Sequence, residues 1–90
     1  MRLTGEIFRK RHYFDHDDKR NNCITFILCE KGILFKGDII KIIPILSNEL
    51  EITKGVGEKI EVEGKIEFRC ITTPNGERSR LPIPVIRLCG

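Results

Sequence analysis

The run Glu58-Lys59-Ile60-Glu61-Val62-Glu63-Gly64-Lys65-Ile66-Glu67-Phe68-Arg69 decides the fold class. Ile60, Val62, Gly64, Ile66 and Phe68 alternate with charged residues. A period of two over this length is a β-strand with one apolar face and one wet face; a helix would scatter the same apolar residues around its circumference. Gly64 weakens a strand interior, so it marks a bend or bulge of the kind a small barrel uses to turn a corner. Beyond Cys70-Ile71-Thr72-Thr73 stands Pro74-Asn75-Gly76, a turn signal because Asn and Gly tolerate positive φ. The chain then returns through residues 81–88. Residues 58–88 thus read as a long hairpin whose tip carries Arg78 and Arg80. The alternation assigns Phe68 to an apolar face and so to the core.

Upstream, the same reading continues. Leu3, Gly5 and Ile7 alternate with Arg2, Thr4 and Glu6, which predicts a first strand over residues 2–10. The polar segment 9–22 reads as an exposed loop or hairpin end with Tyr13 and Phe14 embedded in it. In a second strand Ile24, Phe26 and Leu28 share one face, and Cys23, Thr25, Ile27 and Cys29 share the other. Either Glu30-Lys31-Gly32 or Lys36-Gly37-Asp38 closes the next hairpin, the other being a further turn or a bulge. A third strand covers residues 38–46. Its Ile39, Ile40, Ile42, Ile43, Ile45 and Leu46 do not alternate, as in a strand buried on both faces. One face would fill a barrel and the other would meet a second subunit or a ligand. Pro44 lacks a ladder donor and marks an edge or bulge. Ser47 has the chemistry of an N-cap for one helical turn over residues 47–51. Five strands broken between the third and fourth give the expected class: an all-β, five-stranded OB-fold Greek-key barrel with at most one short helical turn between strands three and four.

Ninety residues make one domain with a modest core, to which an oligomer interface would add. No apolar run spans a bilayer, and the basic start (Arg2, Lys10, Arg11) has no signal-peptide core behind it, so a cytoplasmic protein is expected. The net charge of +3 permits nucleic-acid binding without requiring it. Cys23, Cys29, Cys70 and Cys89 contain no Cys-x-x-Cys pair, which removes the zinc-ribbon signature and leaves reduced structural thiols as the expectation. His12 and His16, with Asp15, Asp17 and Asp18, would share a metal only on a helix, and the segment has no apolar stripe to hold one. Neither Ser47 nor Ser79 lies in a nucleophile-elbow pattern, and no phosphate-cradling Gly-x-x-x-x-Gly-Lys motif is present. The expectation is a non-enzyme with no metal and no cofactor.

Single-strand binders combine cations for phosphates with aromatic faces for bases. The candidate nucleic-acid-binding residues are Lys10, Arg11, Tyr13, Phe14, Phe35, Lys36, Arg69, Arg78 and Arg80. Lys31 is a further candidate cation and Phe8 a further platform, whereas Phe26, like Phe68, is assigned to the core. Glu61, Glu63 and Glu67 alternate with Lys59, Lys65 and Arg69, which reads as a self-neutralised wet face that DNA would avoid.

The pattern Leu3-x-Gly5, a loop, then Ile24-x-Phe26 resembles the first two strands of the bacterial single-stranded-DNA-binding protein superfamily. The run from Gly55 to Ile66 and the Asn75-Gly76 hairpin are similar to that superfamily's fourth strand and the turn behind it. Pro44-Ile45-Leu46-Ser47, Ile52-Thr53, Val56-Gly57 and Ile60-x-Val62-x-Gly64-x-Ile66 follow the spacing of its primosomal replication protein N (PriB) group. The resemblance covers most of the chain in order and spacing. It implies a homodimer, through strand three on the reading above, that binds single-stranded DNA without base readout, serves replication or replication restart, and meets replication-restart proteins. It also implies DNA contact at Arg69, Arg78 and Arg80. One departure is the stacking tryptophan of the family's third strand, whose position falls near Ile40. Two alternatives stand beside this reading: a protein-interaction subunit without DNA binding, and an RNA-binding OB domain.

Overall fold

The computed structural model describes residues 1–12, 23–48, 52–71 and 75–88. It contains five strands: β1 (Arg2–His12), β2 (Cys23–Phe35), β3 (Asp38–Ser47), β4 (Lys59–Arg69) and β5 (Ile83–Leu88). They close into a barrel in the order β1-β2-β3-β5-β4. Antiparallel pairs make up the barrel except at β3 and β5, which run parallel. This order, with that single parallel contact, is the OB-fold barrel anticipated from the alternation.

Gly64 is the corner. Up to Glu63, β4 pairs with β1; from Gly64 onward it pairs with β5. A Cβ on Gly64 would lie 2.2 Å from the Arg87 carbonyl oxygen, so only glycine lets the two backbones cross this closely. The β2–β3 hairpin is closed by Lys36-Gly37, with φ of 51° and 85°, between the register partners Phe35 and Asp38. Two successive positive φ values make a two-residue turn whose twist matches the strands it joins. The other candidate turn, at Gly32, is an irregularity inside β2, where the register slips between Leu28 and Ile33.

Two apolar clusters lie back to back across the sheet. The barrel interior holds Ile7, Ile27, Cys29, Ile43, Ile45, Val62 and Ile86, with Ile52 from the β3–β4 connection. The outer cluster holds Ile24, Phe26, Leu46 and Val85, and its lid is Ile71. Ile71 belongs to the β4–β5 loop, residues 70–82. The loop is pinned there by Ser79: its N–H donates to the Ile71 carbonyl at 2.8 Å, and the Ile71 N–H donates to the Ser79 hydroxyl at 3.0 Å. β5 is correspondingly shorter than residues 81–88.

Three expectations change, and the edge role of Pro44 stands. Phe68 is not core: its side chain is 58% exposed, because β4 runs on past the closed part of the barrel. β3 is buried on both faces only from Ile43; Ile39 and Ile42 are exposed. β5 touches β3 only at Ile45 and Leu46, so residues 38–44 form an open edge among the described residues, which is where Pro44 is tolerated. Ser47 is the buried end of β3, and its hydroxyl has no partner, so it caps nothing among the described residues. The rest of the expected helical turn, residues 49–51, lies outside them, as do Tyr13, Phe14, His16 and Cys89.

Candidate nucleic-acid interface

The predicted site residues fall into three places. Lys10 stands apart. It pairs with Thr25 on β2, and its ammonium donates to the carbonyls of Ile52 and Lys54, both at 3.0 Å. It ties the β3–β4 connection to the barrel. Arg11, its neighbour in sequence, is the partner of Ile24 on the outer face and comes close to the tip of the β4–β5 loop. A Cβ on Gly76 would be 3.9 Å from an Arg11 guanidinium nitrogen. Adjacent strand residues point to opposite faces, so the two cations of the Lys10-Arg11 pair act separately.

Phe35 and Lys36 form the second group, and Arg69, next to Phe68 on β4, lies on the opposite face of that strand. Phe35 ends β2 at the hairpin tip. Its ring meets Phe68 with centroids 5.7 Å apart and planes tilted by 31°. The Lys36 ammonium stands 5.3 Å from the Phe35 centroid, within cation–π range. Arg69 follows Phe68 and is the register partner of Ile83. Sequence reasoning missed Phe68. The available signal was its distance beyond Gly64, since a strand that continues past a barrel corner leaves the enclosed interior.

The third group is the β4–β5 loop. Arg78 and Arg80 are exposed there, on the return limb past Gly76, on either side of Ser79. The expected long hairpin has a tip that folds back on the barrel as a loop, with Gly76 supplying a φ of 90° there and Arg78 and Arg80 following it.

Between that loop and β1 lies an apolar cleft of about 230 Å³. Phe26, Pro44 and Ile83 line it, and Phe8 and Asn75 stand on its borders. Phe8 occupies the β-bulge between Ile7 and Arg9, which turns its ring outward to 48% exposure.

The wet face of β4 is neutralised, though not by the lysines beside its glutamates. Arg2 pairs with Glu61 at 3.2 Å and with Glu63 at 3.5 Å, and Arg87 pairs with Glu67 at 2.7 Å. No three potential metal ligands converge among the described residues. Burial pushes the Cys29 thiol above its ordinary value.

The site is therefore a set of exposed aromatic faces and cations on an OB barrel. Compared with family models, curated proteins and solved structures, the chain matches none.

Proposed function

We propose that this chain binds single-stranded DNA by charge and stacking, as a small OB-fold homodimer in replication or replication restart. The observation that carries the reading is the Phe35–Phe68 pair. Phe68 is exposed and Phe35 half-exposed, and the Lys36 ammonium stands over the Phe35 ring, so an aromatic face and a cation lie together on the surface. Rings offer a face to any base, and the cations beside them meet phosphates. Arg78 and Arg80 extend the positive surface along the β4–β5 loop. The replication role and its protein partners rest on the sequence resemblance.

The test is fluorescence anisotropy of a labelled dT oligonucleotide at low and moderate salt. Micromolar or tighter affinity that falls with salt is expected. Phe68→Ala should weaken binding by about 1–3 kcal/mol, the usual worth of one stacked base. Arg78→Ala/Arg80→Ala should flatten the salt dependence, since each lost phosphate contact reduces the slope. Absence of binding at low salt would sink the reading. Competition by RNA of equal length separates an RNA-binding domain from a DNA-binding one.

A second reading is favoured by the β2–β3 hairpin. Leu28, Leu34, Ile39 and Ile42 are exposed on its outer face, beside the open edge of β3. This supports assembly through strand three, either in the homodimer or in a larger complex without DNA binding. Light scattering of the wild type and of Leu34→Lys/Ile39→Lys distinguishes them. A dimer that the double variant dissolves supports the homodimer. A wild-type monomer that binds no DNA favours the interaction subunit.

A further inference from the structure

We propose that the cleft bordered by Phe8 and Asn75 is a pocket for one unstacked nucleobase, which makes one position of the bound strand unlike the rest. The proposal rests on the single-strand-binding reading and adds to it a subsite in which a base, rather than only a phosphate, is required.

Size sets the first limit. About 230 Å³ is below the range of cofactor and drug-sized sites, so the cleft suits one planar ring system. Its walls set the second. Phe26, Pro44 and Ile83 give an apolar floor, and Phe8 is a half-exposed aromatic held outward by a β-bulge. Among the described residues Asn75 is the one polar side chain lining it. An amide offers one donor and one acceptor side by side, and a base edge presents the complementary pair.

Charge complementarity selects a nucleotide over an apolar side chain of a protein partner. The residues across the strands from the floor are arginines: Arg9 opposite Phe26 and Arg69 opposite Ile83. Arg11 adds a third guanidinium at the Gly76 end of the loop. No carboxylate lines the cleft among the described residues. An apolar slot with arginines at the register positions beside its floor fits a base inside and its phosphates at the rim.

The experiment uses the shortest dT oligonucleotide that binds with full affinity, so that the strand has no room to shift register. An abasic residue is stepped along it, one position at a time. The expected result is one position per protomer where the abasic residue weakens binding by roughly fivefold or more beyond its effect elsewhere. Phe8→Leu and Asn75→Ala, both at the cleft border, should erase that excess while leaving thermal unfolding unchanged. Phe68→Ala should lower affinity and leave the excess in place. Equal losses at every position, or an excess that survives Phe8→Leu, would overturn the pocket while leaving DNA binding intact. Failure of every oligonucleotide to bind would overturn both.

Discussion

Both halves of β2 carry large apolar side chains on the outer face, and their surroundings are opposite. Cys23-Ile24-Thr25-Phe26-Ile27 is buried on both faces, whereas Leu28 and Leu34 further along the same strand are open to solvent. Phe26 and Leu28, neighbours on the outer face, are both large and apolar, so side-chain character alone does not separate them. The barrel interior lies under one face of both halves, but the β4–β5 loop reaches only the first, where Ile71 closes the outer cluster. What makes an outward apolar residue core or surface is thus a loop some 45 residues away in sequence. The uncovered half is what remains for partners.

The largest expected effect tests this contrast directly. Phe26 is 1% exposed under the loop, and Leu34 is 73% exposed at the hairpin tip. Phe26→Ala should lose about 3–5 kcal/mol in urea unfolding, as large core truncations do. Leu34→Ala should stay within about 0.5 kcal/mol. Comparable losses at the two sites would mean that the two halves are buried alike in solution.

The uncovered half has its own test. Gly32 has a φ of 67°, and a Cβ there would stand 2.6 Å from the Ile40 carbonyl oxygen. It lies where the β2–β3 register slips. Gly32→Ala adds left-handed strain to a backbone clash, and a loss of about 2 kcal/mol is expected. If the variant is as stable as the wild type, the slip does not need glycine and the hairpin can straighten.

These contrasts indicate what the sequence carried. Alternation in β4 identified the barrel, and Gly64 within it identified the corner, because both are local: one strand's period and one missing side chain. Asn75-Gly76 marked a turn for the same reason. Alternation puts Phe68 on an apolar face, correctly as to side and wrongly as to burial, since period two gives the side of a strand and not what lies over it. Lys10 and Arg11 are both candidate cations by composition, and alternation puts them on opposite faces. The Phe8 cleft was least legible. It depends on a bulge in β1 and on a fold-back of the β4–β5 loop, and neither has a local signature. Tyr13 and Phe14 remain expectations, outside the described residues.

A smaller effect, of opposite sign, is expected inside the covered half. The Thr25 side chain is fully buried, and its hydroxyl has no hydrogen-bond partner. Such a group loses its water without replacement. Thr25→Val keeps the shape and removes the unmet donor, so a gain of about 1 kcal/mol is expected in the same unfolding assay. A loss of similar size would mean that the hydroxyl is satisfied in solution.

The smallest effect vanishes at neutral pH and appears only in alkali. Cys29 lies at the boundary of the two halves, facing the interior, and burial raises its thiol above the ordinary value of 9.0. The unfolded chain releases that proton first. The contribution of the neutral thiol is therefore complete below about pH 9 and is lost as pH rises through the folded-state value. The stability difference between wild type and Cys29→Ala should be flat from pH 6 to about 8 and narrow above about 9. Site-resolved alkylation gives an independent reading: partly exposed Cys70 should react in the native protein, and Cys29 only on unfolding. A difference that stays constant into alkali, together with rapid native alkylation of Cys29, would show that the interior is open at this point and would move the boundary between covered and uncovered strand toward Phe26.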